Sequence, residues 1–286
     1  MTQIRTFDFK KHKQQGAMSD DKDYILGTHA DELHRLGIQH QVWAKDAQIG
    51  WAKAGFKRGD VLLDLGSGPG FCSKELAFIA GTEGKVIAVD KSEHYINFIH
   101  AINKQYRLNI EPIQASFNAL ELDDSSIDGV FIRWALAWIS NVDDICAKLH
   151  QAMKPGGRMV IHEYINWMTH KTEPAYPNLN KAIKAAFDSF QDSEGDINIG
   201  LRLPQLLGNL NFKVVSVRPI TVMARPSDFA WQWPRSFYDV YFPALGEMGY
   251  LSANEVELAL SEVTQLEAQP NSIFYGPSVV EIIAEK

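Results

Sequence analysis

The stretch VLLDLGSGPGF, residues 61–71, places an apolar run directly before three closely spaced glycines. The run at 61–65 is typical of a buried strand. Gly66, Gly68 and Gly70 then remove the side chain from every second position of the turn that follows. Because glycine has no Cβ, this cluster predicts a sharp backbone turn that another chemical group approaches closely.

Short apolar runs alternate with helical segments along the chain. This alternation predicts βαβ units, and therefore an α/β fold in which helices cover both faces of a mainly parallel sheet. Ligands of such sheets bind at the carboxyl ends of the strands, where the strand order reverses. The glycines end the first strand, so they lie where a ligand is expected. The predicted strands are 60–65, 85–90, 110–115, 127–133, 158–164, 213–220 and 278–285; the predicted helices are 29–53, 71–80, 92–105 with Ser92 as N-cap, 141–153, 178–190 and 252–267; a turn is predicted at 154–157.

The order of elements divides the chain into a core and a cap. Residues 1–23 form a polar N-terminal tail, and 24–164 form the α/β core with its N-terminal helices. We expect a cap insertion with a helix at 165–212. The region 213–286 is expected to hold the sixth and seventh strands, with an intervening helical, aromatic cap segment.

The composition excludes some classes of protein. Of the 286 residues, 45% are hydrophobic and 22% are charged, which is typical of a globular protein with a full core. The net charge is −7. Nucleic-acid binders usually carry a basic face, because counterion release from phosphates supplies much of their affinity. The acidic balance therefore argues against that class.

Two cysteines, Cys72 and Cys146, are too few for a disulfide framework and favour a reducing compartment. Residues 1–23 lack the apolar segment of a secretory signal. No stretch approaches the ~20 apolar residues of a membrane span. These observations predict a cytoplasmic protein.

The glycine turn matches neither of two common nucleotide-binding loops. A phosphate loop requires G-x-x-x-x-G-K-[ST], which is absent here, and Phe71 takes the place of the third glycine of a dinucleotide fingerprint. The chain instead reads DLGSGPG at 64–70, and Asp90 ends the next strand. A carboxylate can accept hydrogen bonds from both hydroxyls of a ribose, so Asp90 favours a nucleoside over a bare phosphate.

The full pattern resembles the class I S-adenosylmethionine-dependent methyltransferases, in particular the small-molecule type of ubiquinone and menaquinone biosynthesis. The resemblance covers about 24–164 and the closing strand. It implies a Rossmann-like fold with a seven-stranded sheet. The motifs that carry it are VLLDLGSGPG (61–70), VIAVD (86–90), QASF (114–117), IDGVFIRWALAWI (127–139) and MKPGGRMVIHEY (153–164).

This resemblance implies S-adenosylmethionine as cofactor and S-adenosylhomocysteine as product. Ser116 stands where many relatives carry an acid in the adenine loop, so we expect Ser116, backbone groups and stacking by Phe117 to recognise adenine. No metal is expected, because no cluster has ligand spacing. The implied cofactor-binding residues are Tyr24, Gln39, Trp43, Asp64, Gly66, Ser67, Gly68, Gly70, Asp90, Lys91, Ser116, Phe117, Arg133 and Trp134. Two alternatives remain open: the 24–43 segment is an amphipathic helix packed on the domain with Trp43 in the core, and Arg133 forms only an ion pair at the strand end.

Methyl transfer from a sulfonium is an in-line displacement that depends mainly on alignment and exclusion of water, and some acceptors also need a base. Base candidates near the end of strand five are His162, Glu163, Tyr164 and His170. Strand alternation sends His162 and Tyr164 to one face and Glu163 to the other. We predict Glu163 and Tyr164 as the catalytic residues.

The acceptor is expected to be a small molecule methylated on O, N or C, because aromatic residues concentrate in the cap. More than half of those rings are expected to form the core of the cap itself. Arg202 and Arg235 face either an acidic substrate or solvent. A non-catalytic cofactor-binding scaffold or sensor and a nucleic-acid methyltransferase are the alternatives, and we expect a monomer or homodimer. The cap aromatics are Trp167, Tyr176, Phe187, Phe190, Trp231, Trp233, Phe237, Tyr238, Tyr241 and Phe242.

Overall fold

The computed structural model describes residues 30–286, so the polar tail and Tyr24 lie outside the described residues. Its helices are α1 (Ala30–Ala54), α2 (Phe71–Ala80), α3 (Glu93–Tyr106), α4 (Val142–Ala152), α5 (Pro177–Gln191), α6 (Leu203–Asn209), α7 (Gln232–Glu247) and α8 (Ala253–Glu267). Its strands are β1 (Val61–Leu65), β2 (Lys85–Asp90), β3 (Ile110–Gln114), β4 (Ile127–Arg133), β5 (Met153–Asn166), β6 (Lys171–Glu173), β7 (Lys213–Ile220), β8 (Met223–Ala224), β9 (Ile273–Tyr275) and β10 (Ser278–Glu285).

Seven strands form the main sheet, in the order β3-β2-β1-β4-β5-β10-β7. The first five of these strands run parallel to one another. β10 is antiparallel to both β5 and β7. The predicted α/β fold with a mainly parallel sheet is confirmed, and the predicted strands at 85–90, 127–133, 213–220 and 278–285 have the predicted bounds.

The strand order reverses at β1. From β1 the chain builds outward through β2 and β3, and it then returns to place β4 on the other side of β1. The carboxyl ends of these strands, at Leu65, Asp90 and Arg133, therefore meet at one edge of the sheet. This is the edge at which ligands bind in open α/β sheets.

Two apolar cores cover the two faces of the sheet. Successive residues of a strand point to opposite faces. Val160 accordingly packs with Trp51 of α1 and Leu76 of α2, while Ile161 packs with Leu149 of α4 on the other side. The second core continues into the cap formed by α5, α7 and α8.

The sequence prediction for strand β5 is wrong at its start. The expected turn at 154–157 lies inside the strand, which begins at Met153. Pairing with β4 jumps from Ile127–Met153 to Gly129–Arg158, so the intervening residues of β5 bulge out. The sequence analysis also did not predict α6 or the small sheet β6-β9-β8, whose strands have two or three residues each and are too short for a periodic signal. None of the described helices is long and apolar enough to span a bilayer.

Candidate active site

The glycine turn after β1 is held by the end of β2. The Gly66 and Ser67 amides both donate to the carbonyl oxygen of Val89, at 2.9 Å each. Gly66, Gly68 and Gly70 all have positive φ, which non-glycine residues rarely adopt. A Cβ on Gly66 would lie 2.5 Å from the Cβ of Ala135, whereas a Cβ on Gly68 would meet no protein atom within 4 Å. The turn is therefore tightly packed at Gly66 and open at Gly68.

Asp90 closes the turn from β2. Its Oδ2 accepts a hydrogen bond from the Gly68 amide at 2.8 Å, and its Oδ1 accepts one from the Ser92 amide at 2.9 Å. Burial raises the pKa of Asp90, against the opposing effect of these amides. A carboxylate has about four acceptor positions, so Asp90 keeps the capacity to accept from further donors.

Asp64 and Arg133 bring opposite charges to the ends of β1 and β4. The Ser73 hydroxyl donates to Asp64 Oδ2 at 2.5 Å. Burial raises the pKa of Asp64 to about 6, although the Ser73 hydrogen bond and the positive charge of Arg133 act in the opposite direction. The Arg133 Nη1 is buried and has no hydrogen-bond partner among residues 30–286. A buried guanidinium nitrogen without a partner points to an anionic ligand.

A cavity of about 550 Å³ opens at this edge of the sheet. The glycine turn and Asp90 form one end of it, and aromatic side chains of the core and the cap form the other. The turn is thus not filled by the protein's own side chains, and Asp90 faces the cavity. The predicted site residues that line it are Gln39, Asp64, Gly66, Ser67, Gly68, Asp90, Lys91, Ser116, Phe117, Arg133, Trp134 and Tyr164.

Three predicted site residues lie away from the cavity wall. Trp43 is fully buried and packs edge-on against Trp134 and Trp233, which do line the cavity. Gly70 faces α3, because a Cβ there would meet Ile99 at 2.6 Å. Glu163 points to the opposite face of β5 and is fully buried there. These three residues therefore do not line the cavity, and Tyr24 lies outside the described residues.

Trp134 forms the centre of the aromatic wall. Its φ is +50°, an uncommon conformation for a bulky residue. Its ring stacks on Tyr164, with ring centroids 5.4 Å apart, and lies parallel to Trp233, with centroids 6.0 Å apart. The indole nitrogens of Trp134 and Trp167 are buried and have no hydrogen-bond partner in the described part of the chain. Both residues line the cavity.

Glu163 holds the segment that carries Trp134. Its Oε1 accepts from the Ala135 amide at 2.9 Å and from the Leu136 amide at 2.8 Å. Burial raises the pKa of Glu163 to about 8, although these amides oppose the shift. The carboxyl group therefore supports the strained backbone behind the cavity wall.

This pKa predicts a pH-dependent stability. The pKa of Glu163 is higher in the folded protein than its ordinary value of 4.5, so folding gains from the bound proton at low pH. That gain is lost as the pH rises from about 4.5 to about 8, by roughly 3–5 kcal/mol in total. Glu163→Gln keeps an acceptor oxygen but cannot titrate. We expect urea unfolding to show stability falling between pH 6 and 8 in the natural protein, more steeply than in Glu163→Gln; equal slopes would contradict the prediction.

The remaining base candidates are engaged elsewhere. His162 Nε2 lies 3.3 Å from Glu281 Oε2, and both side chains are fully buried. His170 Nε2 is hydrogen-bonded to the Tyr238 hydroxyl, and burial lowers the pKa of His170 to about 3. Neither histidine lines the cavity.

The cap aromatics divide between the cavity and the core. Trp167, Phe190, Trp233 and Phe237 line the cavity, which the sequence alone did not resolve. Four others lie in the core: Trp231, Tyr238, Tyr241 and Phe242. Tyr176 and Phe187 are partly buried and pack against this core.

The two cap arginines pair with neighbouring acids at the surface. Arg202 lies 3.5 Å from Asp196, and Arg235 pairs with Asp239 and with Glu267, the latter at 3.0 Å. Neither arginine lines the cavity, so the structure does not bring them to the site.

The sequence analysis missed a buried ion pair on α1. The Arg35 Nε and Nη2 donate to the two carboxylate oxygens of Glu32 at 2.7 and 2.6 Å. The Arg35 Nη1 and the Trp233 indole both donate to Gln39 Oε1, at 3.1 and 3.2 Å. These contacts fix the Gln39 amide so that its NH₂ group is the free donor. Opposite charges three positions apart on the buried side of a helix were the available signal.

The residues at the glycine end fit the nucleoside and amino-acid parts of S-adenosylmethionine. Asp90 has acceptor capacity for two hydroxyls, and Gly68 leaves the space that a Cβ would fill. Asp64 and Arg133 offer opposite charges for an ammonium and a carboxylate.

Comparisons with known proteins agree with this geometry. Residues 56–202 match the family model described as a methyltransferase domain. A ubiquinone/menaquinone biosynthesis C-methyltransferase of Francisella tularensis subsp. holarctica is 30% identical over 153 residues, which cover 53% of this chain and 57% of that protein. The corresponding enzyme of Hahella chejuensis is 28% identical over 154 residues, with the same coverage. The chain thus aligns with a little over half the length of these relatives.

Solved structures show the same fold at low sequence identity. A methyltransferase-like protein of Bacillus halodurans has a TM-score of 0.57 at 14% identity, covering 85% of this chain and 99% of that one. The geranyl diphosphate C-methyltransferase of Streptomyces coelicolor has a TM-score of 0.55 at 14% identity, covering 86% of this chain and 77% of that one. With the family match at 56–202 and the cavity built on its motifs, this chain belongs to the class I S-adenosylmethionine-dependent methyltransferases.

Proposed function

We propose that this protein transfers a methyl group from S-adenosylmethionine to a carbon, oxygen or nitrogen atom of a small, largely apolar acceptor. One observation carries the proposal: a single cavity joins the turn at Gly68 and Asp90 to an aromatic wall. The relatives named as C-methyltransferases support carbon as one of the candidate atoms.

Residues at the glycine end hold the cofactor, which when bound supplies a methyl group on a positively charged sulfur. Asp90 accepts hydrogen bonds from the ribose hydroxyls. Asp64 pairs with the ammonium group of the amino-acid part, and Arg133 pairs with its carboxylate through the unpartnered Nη1. Ser116 and Phe117 contact the adenine.

Further residues complete the cofactor site. The backbone of Gly66 and Ser67 borders the cavity next to Gly68, and the Lys91 side chain lies beyond Asp90. Gln39 presents its NH₂ group from α1, where Arg35 and Trp233 fix its orientation.

The aromatic end binds the acceptor. Its rings suit an apolar, flat molecule.

The residues of the acceptor end align the reactants and exclude water. Because methyl transfer needs no protonation of the leaving group, alignment supplies much of the acceleration. Burial raises the pKa of Tyr164 far above its ordinary value, so Tyr164 stays protonated and donates a hydrogen bond. We propose Tyr164 as the catalytic-site residue that contacts the acceptor and Glu163 as a positioning residue for the Trp134 segment.

The experiment has two stages. Calorimetry of the purified chain should detect S-adenosylhomocysteine binding in the micromolar range. Transfer of labelled methyl from S-adenosylmethionine should then be followed with a panel of small aromatic and isoprenoid compounds. Trp167→Phe removes part of one aromatic side chain of the cavity wall, so it should raise KM for the acceptor and leave cofactor binding unchanged. Absence of cofactor binding would overturn the proposal, and binding without transfer to any panel member would favour a non-catalytic scaffold.

The proposal extends to partners and location. The net charge of −7 supports a small-molecule acceptor rather than a nucleic acid, and a flat gel-shift titration with RNA and DNA is expected. Both cysteines are free thiols, which supports a reducing compartment such as the cytoplasm. We propose that the protein is a monomer or homodimer. We also propose that the 24–164 core carries a cap, which is formed by 165–212 and by the aromatic segment within 213–286.

A further inference from the structure

A cysteine, a histidine and a glutamate form a hydrogen-bonded chain beside the glycine turn. Cys72 Sγ lies 3.6 Å from His40 Nδ1, and His40 Nε2 lies 2.9 Å from Glu75 Oε1. Cys72 and His40 are 5% and 3% exposed, and Cys72 lines the cavity. The function proposed above gives no role to any of the three.

Glu75 decides which nitrogen of His40 carries the proton. Burial by itself would raise the pKa of Glu75, but hydrogen bonds from His40 and Gln48 outweigh it and lower that pKa below the ordinary value. Glu75 is therefore a carboxylate at neutral pH and accepts a hydrogen bond from the proton-bearing Nε2 of His40. The lone pair of Nδ1 then faces the Cys72 thiol. This arrangement of nucleophile, base and orienting acid is the one found in enzyme sites that activate a thiol or hydroxyl nucleophile.

A fourth group lies near the thiol. Arg133 is close enough to Cys72 to favour its thiolate electrostatically, and its Nη1 is a buried donor without a partner among the described residues. Burial nevertheless raises the pKa of the Cys72 thiol to about 12. The sulfur is therefore protonated at rest, and a reaction requires His40 to remove the proton as the new bond forms.

We propose that Cys72, with His40 as base and Arg133 Nη1 as donor to the carbonyl oxygen, is a covalent modification site for small α,β-unsaturated carbonyl compounds that enter the cofactor-free cavity. The sulfur bonds to the β-carbon while its proton passes to His40 Nδ1. The electron pair of the C=C bond moves to the α-carbon and the oxygen. Protonation of the α-carbon, by His40 or water, completes a saturated thioether adduct without any oxidant or reductant.

The adduct would occupy the space beside Arg133 that the proposed function gives to the cofactor, so modification and cofactor binding exclude each other. The mutual exclusion rests on the proposed function, whereas the reactivity of the Cys72 thiol does not.

Cys146 is a matched control within the same chain. It is fully buried in α4, burial raises the pKa of its thiol to about 12, and no histidine among residues 30–286 is hydrogen-bonded to it. Acrylamide is a suitable probe because it is the small amide of the proposed class. Peptide mass spectrometry over time should show Cys72 alkylated about 100-fold faster than Cys146 in the native protein.

Two variants separate catalysis from packing. His40→Asn removes the base and also opens space next to Cys72. It should slow alkylation of Cys72 to near the rate of Cys146, whereas a merely structural His40 would leave the rate equal or higher. Glu75→Gln, at a half-buried position, should slow alkylation by a smaller factor and serves if His40→Asn does not fold. Equal rates for the two cysteines, or an unchanged rate in both variants, would overturn the proposal.

Excess S-adenosylhomocysteine should protect Cys72 and leave Cys146 unchanged. If calorimetry detects no binding of S-adenosylhomocysteine, the proposed function fails while the rate comparison between the cysteines still tests the modification site. If the ligand binds but does not protect Cys72, the site does not overlap the cofactor and the proposal of mutual exclusion is wrong.

Discussion

Asp90→Ala is expected to weaken S-adenosylhomocysteine binding by at least about 100-fold. The substitution removes the acceptor proposed for two ribose hydroxyls, and a hydrogen bond to a charged group contributes about 1.5–3 kcal/mol. It also leaves the Gly68 and Ser92 amides without the carboxylate that they now contact. Both effects act on the same end of the cavity. The loss of affinity for S-adenosylhomocysteine should therefore exceed the loss caused by removing any single contact with the aromatic wall.

Asp60 supplies the matched control for this experiment. It lies at the opposite end of β1, is also buried, and accepts a backbone hydrogen bond from the Lys57 amide at 2.9 Å. Asp60→Ala should therefore lower the free energy of unfolding, as Asp90→Ala does, without changing the affinity for S-adenosylhomocysteine. Calorimetry measures the affinity and urea unfolding the stability of each variant. Asp90→Ala with natural affinity would show that β2 does not contribute the nucleoside contact.

Gly68→Ala is expected to weaken cofactor binding while the protein still folds. The φ of Gly68 is +52°, so alanine there costs about 1–2 kcal/mol of stability. The new methyl group would meet no protein atom within 4 Å. It would instead enter the cavity, where overpacking against the bound cofactor costs a further ~1–3 kcal/mol, or about 5- to 150-fold in affinity.

Gly55→Ala separates backbone strain from this steric effect. Gly55 has a φ of +78°, and a Cβ there also meets no protein atom within 4 Å, but it follows α1 far from the glycine turn. The two variants should lose similar stability in urea unfolding, and only Gly68→Ala should lose affinity in calorimetry. Equal affinities would mean that the cofactor does not approach the Gly68 backbone.

The fold and the residues around the glycine turn could be predicted from the sequence, because both depend on local pattern. β1 and β2 are mostly apolar, and the turn after β1 has glycine at three closely spaced positions. Element and motif are therefore read from neighbouring residues. The predicted bounds of 71–80 for α2 and of 127–133 for β4 match the structure for this reason. The order of the motifs then places Asp64, Asp90 and Arg133 at one edge of the sheet.

Which aromatic side chains line the cavity could not be predicted from the sequence, because it depends on contacts between distant parts of the chain. Trp167 and Trp231 are both aromatic residues of the cap, yet the first lines the cavity and the second lies in the core. The sequence pattern cannot separate them, because burial of a ring depends on the packing of α7 against α1 and on the direction in which β5 ends. Glu163 shows the same limit: alternation predicted its face, but its contacts with the Ala135 and Leu136 amides come from a segment 27–28 residues away.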